Sequence, residues 1–308
     1  MRLFHNANYN FMGIRKISFT ISILLIFISI LSLILHGGPK YSVDFHGGTF
    51  MEIRFEDKLD PGKPLSINIG EVRDVFSEFS LGNAEIKHYG SLQEISARAD
   101  VTENTDQIFH NLVDKLSQLY PEYNVIEMRK ETVGPRVGKE LVGNAIMAVL
   151  ISTILMLIYI RLRFKEIRFG VGAVVALLHN VILTIGIFSV LNYEMSIAIV
   201  AAILTVVGYS INDTIVVFDR IRENLKILKR QTFNYSDLIN RSINETLSRT
   251  VITGGTTILS LTILFFFGGE VLKDFSFAML FGIIVGTYSS IFIAAPILLE
   301  FERIKKID

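Results

Sequence analysis

Apolar residues gather into six long runs: Ile17–Leu35, Leu141–Ile160, Phe169–Leu191, Met195–Phe218, Thr250–Phe267 and Phe275–Leu299. Each reaches the span of about 17–25 residues that a helix needs to cross a bilayer. The segment between the first two runs behaves differently. Thr49–Phe55 alternates apolar and polar, as a half-buried strand does. Ser66–Ser80 places Ile67, Ile69, Val72, Val75, Phe76 and Phe79 largely on one helical face. Ala84–Tyr89 and Gln93–Ala99 read as strands joined by a tight turn at Gly90-Ser91. Glu103–Tyr120 repeats the helical period through Ile108, Leu112, Leu116 and Leu119, and Tyr123–Val133 closes as a strand. The order β-α-β-β-α-β predicts a ferredoxin-like split unit.

The expected fold class is therefore a six-helix transmembrane bundle carrying one α+β ferredoxin-like (βαββαβ) extracytoplasmic domain. Residues 1–36 hold a cytoplasmic N-terminus and the first span, 37–140 the outer domain, and 141–308 the other five spans. The first run, flanked by Arg15 and Lys16, has the outline of a secretory signal. It exceeds an apolar signal core, and His36-Gly37-Gly38-Pro39 is a poor cleavage site, so an uncleaved anchor is expected.

Basic residues orient the spans. Arg2, Arg15 and Lys16 precede the first; Arg161, Arg163, Lys165 and Arg168 follow the second. Arg220, Arg222, Lys226, Lys229, Arg230, Arg241 and Arg249 lie between the fourth and fifth, and Arg303, Lys305 and Lys306 end the chain. The opposite loops, Asn192–Glu194 and Gly268–Asp274, hold one base, Lys273. Both termini are expected in the cytoplasm of a multi-pass inner-membrane protein. The cytoplasmic loop 219–249 divides in two. Asp219–Arg230 extends the fourth span, and Tyr235–Arg249 forms a helix with Leu238, Ile239, Ile243 and Leu247 on one stripe. That helix reads as lying in the interface or packing under the bundle, or else as a solvated connector with one docked face.

Composition narrows the chemistry. The chain has no Cys, which removes thiol catalysis, disulfides and Cys-based metal sites. A net charge of +0 suggests no nucleic-acid partner. No Ser/His/Asp set, HExxH or Walker pattern is present, and Gly47-Gly48 after Asp44 lacks the Lys and helix of a phosphate loop. No enzyme, cofactor or metal is expected.

Asp213 is the exception within the apolar runs, in Gly208-Tyr209-Ser210-Ile211-Asn212-Asp213-Thr214. A carboxylate at that depth costs about 2.5–3.5 kcal/mol on insertion scales and is usually functional. Ser210, Asn212 and Thr214 crowd the same turn, and burial of an acid suits it to loading and releasing a proton. The other reading is a structural polar residue capped by a neighbouring helix. Asp219, six residues or about 9 Å further, reads as part of a solvated helix-end cluster with Arg220, Arg222 and Glu223. Arg249 opens the fifth span, ahead of Thr253, Gly254 and Gly255. It either snorkels to head groups or, if the fourth and fifth spans are neighbours, holds Asp213 ionised with Thr253 sharing a water. His179 and Asn180 lie midway along the third span, where a buried neutral His bonded to backbone or Ser is the commoner outcome and proton carriage the alternative. Gly282-x-x-x-Gly286 is a packing face.

These residues resemble a known family. Gly208–Asn224, GYSINDTIVVFDRIREN, resembles the fourth-span signature of the SecD/SecF protein-export family. Val43-Asp44-Phe45-His46-Gly47-Gly48-Thr49 resembles its DFxGGT element. Val133–Leu141 and Leu247–Thr257 resemble its entries to the second and fifth spans. The Asn212-Asp213-Thr214 form and the chain length point to the SecF branch. The resemblance implies a member of the resistance-nodulation-division superfamily. With a SecD-like subunit and the SecYEG channel, it would use the proton-motive force to draw an unfolded preprotein across the membrane. The coupling ion would be a proton or sodium, which the residues do not separate. The resemblance also places Asp213, Arg249 and Thr253 on the ion path. Relatives often carry His-Asp where this chain has His179-Asn180, which leaves Asp213 the one carboxylate in the membrane interior. Other readings are a small-molecule or lipid exporter of the same superfamily, for which about a hundred outer residues are few, and a passive assembly factor.

Overall fold

A computed structural model describes residues 7–61, 63–164, 166–228 and 233–305. Arg2, Lys165, Lys229, Arg230 and Lys306, used above to orient the spans, lie outside the described residues. The chain divides into two compact units, residues 41–146 and the remainder.

The smaller unit begins with a single helical turn, α2 (Val43–His46), following α1 (Arg15–Leu35) of the other unit. Next come β1 (Gly48–Asp57), α3 (Ile69–Glu78), β2 (Glu85–Tyr89), β3 (Ser91–Ala99), α4 (Thr105–Leu119) and β4 (Tyr123–Val133). The sheet is antiparallel in the order β2-β3-β1-β4. Strand alternation sends Met51, Ile53 and Phe55 into the core beside Ile95 and Ala97. The apolar stripes of α3 (Val72, Val75, Phe76) and α4 (Phe109, Leu112, Leu116) complete that core. Helix α3 starts at Ile69 rather than Ser66. Asn68 caps it, its Oδ1 accepting from the Gly70 N–H at 2.9 Å, and Ile67 is instead tied to Leu92 by a backbone bond.

Two of the motifs that carried the resemblance meet in this unit. Gly47 and Gly48 have φ of 82° and 112°, open to glycine but strained for other residues. A Cβ on Gly47 would stand 2.9 Å from the Cα of Pro135, and one on Gly138 would stand 2.7 Å from the carbonyl of Phe45. The turn after Asp44 is therefore threaded tightly against the first turns of α5 (Pro135–Arg163).

The larger unit contains α1, the rest of α5, α6 (Ile167–Val190), α7 (Ile197–Leu228), α8 (Tyr235–Phe267), α9 (Gly269–Ser289) and α10 (Ala295–Lys305). A π-helical turn, Ser290–Ala294, joins α9 to α10 as one span. It stands just before Pro296, which has no N–H to donate and crowds the preceding turn, so a locally wider helix relieves it. Among the described residues, six helices are long and apolar enough to cross a membrane. Helices α6, α7 and α9 are buried over about half of their apolar stretches, whereas that of α5 has no buried residue. Exposed Ile, Leu and Met along α5 and exposed Leu, Ile and Phe in the C-terminal half of α8 fit a lipid surface.

One sequence expectation is corrected. Tyr235–Arg249 is not a separate segment, and of its readings the one that packs it against the bundle is borne out. It is the first half of α8, continuous with the fifth span. Its stripe of Leu238, Ile239, Ile243 and Leu247 is buried in the core of the bundle with Phe218 and Ile221. Ala7–Gly13 lies along the same half of α8. Asn244 bonds both the N–H and the C=O of Tyr9 at 2.9 Å, and Asn240 accepts from the N–H of Met12.

Candidate functional site

Asp213 lies on the inner face of α7 and is 3% exposed. Ser210 and Thr214, three residues before it and one after, are also buried. Asn212 is not part of this patch: a helix turns it to the outside, where it is exposed. The hydroxyl of Thr214 donates back to the carbonyl of Ser210 at 3.1 Å and so is spent on its own helix.

Three helices close around the acid. Helix α9 approaches α7 through Gly282, where any side chain would strike Val206, and through Gly286, where a Cβ would come 3.0 Å from that of Ser210. This close approach brings Thr287, the residue after Gly286, against Asp213. On the other side Tyr209 ties α7 to α8, donating to the carbonyl of Thr253 at 2.8 Å and contacting the hydroxyl of Thr257 at 3.0 Å. A Cβ on Gly254 would meet the Thr287 hydroxyl, so α8 and α9 also meet here.

Despite this company, Asp213 Oδ2 and Thr287 Oγ1 are buried without a hydrogen bond of normal geometry. Arg249 makes no direct ion pair with Asp213. It is exposed, lies in the wall of an open polar cleft of about 1030 Å³ together with Arg15, Arg220 and Glu245, and acts on the carboxylate electrostatically from there. Thr253 is half-buried and contributes its carbonyl to Tyr209. The fourth and fifth spans are neighbours, with Arg249 as the nearby cation and Thr287, which sequence reasoning missed, as the facing hydroxyl. The glycines gave little signal for it: one position past Gly286 the helix has turned by about 100°, so Thr287 stands at the edge of their face, toward Gly254 of α8.

Asp219 pairs with Arg222 Nη2 at 2.9 Å within the partly exposed helix-end cluster, and in addition with Arg163 Nη2 at 2.6 Å, which ties α7 to α5. His179 and Asn180 belong to a buried polar chain that crosses four elements. His179 Nε2 lies 3.2 Å from Ser22 Oγ on α1. His179 Nδ1 lies 3.1 Å from the Asn180 amide, which in turn lies 2.6 Å from Ser210 Oγ. Ser22 Oγ is 3.0 Å from the Tyr288 hydroxyl, which donates to the carbonyl of Ser18 at 2.9 Å. The chain thus runs from α1 to the turn of α7 that carries Asp213. Among the described residues no His, Asp and Glu cluster could hold a metal ion.

Comparison with known proteins bears on this arrangement. The family described as "Protein export membrane protein SecD/SecF, C-terminal" matches residues 112–304. The chain is 42% identical to the protein translocase subunit SecF of Rhodothermus marinus, covering 98% of this chain and 96% of that one. It is 40% identical to that of Calditerrivibrio nitroreducens, covering 98% and 97%. Among solved structures it is similar to SecDF, a translocon-associated membrane protein from Thermus thermophilus, with a TM-score of 0.84 at 38% identity. That match covers 98% of this chain and 40% of the other, so the chain spans less than half of SecDF. SecDF in its super-membrane-facing form matches with a TM-score of 0.70 at 36% identity.

Proposed function

The chain belongs to the SecD/SecF family of protein-export membrane proteins, and we propose that it works as a SecF-type subunit that converts proton movement into late preprotein translocation. The observation that carries this reading is Asp213: a carboxylate buried among three helices at membrane depth, one oxygen unpartnered, with Arg249 within electrostatic reach. A buried polar atom left unbonded costs about 1–3 kcal/mol, so its retention points to use rather than to packing.

The proposed cycle uses only groups of this chain. With Asp213 charged, Arg249 and the Thr287 hydroxyl are drawn to it. When Asp213 takes up a proton, that attraction is lost and α7, α8 and α9 are free to repack at their glycine contacts. The arginine-rich end of the bundle would face the cytoplasm of a bacterial inner membrane. The sheet unit, which we read as ferredoxin-like from its element order and strand order, would stand outside. A SecD-like subunit would supply the other half of the bundle, and the SecYEG channel the path for the unfolded preprotein. No covalent chemistry is assigned to the chain.

Asp213→Asn keeps the shape and removes the titration. It should abolish gradient-stimulated export by inverted vesicles while the variant still co-purifies with its SecD-like partner. Export at the wild-type level would sink the proton-carrier reading and leave the chain a passive assembly factor.

A further inference from the structure

The polar chain through His179 has only two complete proton arrangements, and they differ by one proton. The Ser18 carbonyl can only accept, so the single proton of Tyr288 points there. Tyr288 must then accept from Ser22, which uses the single hydroxyl proton of Ser22. Ser22 must in turn accept from His179, which makes Nε2 an N–H donor in every complete arrangement. Only Nδ1 and the amide of Asn180 remain free to vary.

If Nδ1 is bare, the imidazole is neutral. Asn180 then presents its NH₂ to His179 and its oxygen to the hydroxyl proton of Ser210. If Nδ1 also carries a proton, the imidazole is charged. Asn180 then presents its oxygen to His179 and its NH₂ to Ser210, the orientation seen in the structure. An amide serves either way by a half-turn about its last torsion. Every one of the five contacts is made in both states.

We propose that His179 is a second proton-binding site of the bundle and that the Asn180 amide reverses as it loads. When the proton bonds to Nδ1, Ser210 changes from donor to acceptor, and its hydroxyl proton, still on Oγ, turns away from Asn180. Ser210 stands three residues before Asp213 and lies against Gly286, the neighbour of Thr287. The occupancy of His179 is thereby transmitted to the turn of α7 that holds the acid. A carboxylate at position 180 would accept from both neighbours and could not reverse, so Asn is the residue that permits both states.

The groups facing the imidazole are hydroxyls, an amide and one ring. Tyr288 faces the imidazole from α9, with ring centroids 6.0 Å apart. From α1 the facing group is Ser22, from α6 Asn180, and from α7 Ser210 with Asp213 beyond it. Among the described residues Tyr288 is the one titratable side chain in contact with His179, and no fixed charge touches it.

The test is nitrogen NMR on the full chain with its SecD-like partner in lipid vesicles, with His and Asn labelled. His179 is assigned by the signal lost in His179→Gln. Between about pH 5 and about pH 9, the range a histidine switch serves, Nδ1 should change from protonated to bare while Nε2 stays protonated. The Asn180 side-chain signals should shift with the same midpoint. The same coupled step should appear in Asp213→Asn, where the acid cannot contribute. An Nδ1 that keeps one state throughout, or that titrates while Asn180 stays still, overturns the inference. The outcome is separable from the Asp213 reading. A silent His179 with export still dependent on Asp213 removes only this site. A coupled step with normal export in Asp213→Asn removes only the other.

Discussion

Asp213 on α7 and Glu245 on α8 are acids on neighbouring helices, and the bundle treats them in opposite ways. Glu245 is saturated: Arg220 Nε at 2.7 Å, Arg241 Nε at 2.9 Å and Asn224 Nδ2 at 2.8 Å all donate to it. Asp213 is more deeply buried and has a free oxygen, with its cation held off in a cleft. Packing an acid for stability yields the first pattern, because each lone pair is satisfied and the charge is neutralised where it stands. The second pattern costs stability and is reversible, as a group that must change its protonation state requires. The contrast separates a strut from a switch without appeal to depth alone.

That contrast breaks most sharply in paired substitutions. Asp213→Asn should eliminate gradient-driven export and leave thermal stability in detergent unchanged or raised, since it removes a buried charge that has an unbonded oxygen. Glu245→Ala should do the reverse. It strips Arg220, Arg241 and Asn224 of a shared partner and should cost about 1–2 kcal/mol after allowance for solvent screening. Export per folded molecule should persist. If Glu245→Ala stops export in fully assembled protein, the division between strut and switch is wrong.

Gly282→Leu probes the frame around Asp213. The new side chain would overlap Val206 and force α9 away from α7, an overpacking penalty of about 1–3 kcal/mol. Because the same contact sets Thr287 against Asp213, export should fall by more than the loss of folded protein explains. A fall that only matches the loss of folded protein would show that the glycine face is scaffold alone. Asp219→Asn should be milder. The clamp by Arg163 and Arg222 is about a third exposed, and its loss should cost about 0.5 kcal/mol in thermal unfolding, with export intact.

How far the sequence disclosed these differences depends on the range of each interaction. The strand Thr49–Phe55 and the six spans were legible because period and apolar length are local properties. Asp213 was legible because a charge in an apolar run has no cheap explanation. The continuity of α8 was hidden, since the polarity change near Arg249 looks like a boundary although the backbone has no reason to break there. The separation of Arg249 from Asp213 and the exposure of Asn212 were not legible either, because both depend on which way a helix faces its neighbours. Ser22, Tyr288 and Thr287 were the least visible. Ser and Thr recur throughout the spans, and Ser22 meets Tyr288 across 266 positions of sequence. Only the packing of α1, α6 and α9 selects the hydroxyls that matter.

The smallest predicted effect extends the comparison to the sheet unit, where Asp57 is another saturated acid. Its Oδ1 accepts from the backbone N–H of Leu59 at 2.9 Å and of Asp60 at 3.2 Å, and Lys63 Nζ lies 3.3 Å from Oδ2. Those backbone bonds first, and then Lys63, hold its carboxyl below the ordinary carboxylate value. Lys130 does the same for Asp106 on α4. A carboxyl that is more acidic folded than unfolded stabilises the fold above the ordinary value, about pH 4. The contribution fades as pH falls through the lower, folded value, because the unfolded chain then binds the proton more readily. Hydrogen exchange of the β1 and β4 amides in the full-length chain, corrected for intrinsic rates, should therefore show opening that steepens below about pH 4. Asp57→Asn, which keeps an acceptor for Leu59 but has no proton to gain, should flatten part of that slope. An unchanged slope would mean that Asp57, despite its three partners, does not couple protonation to folding.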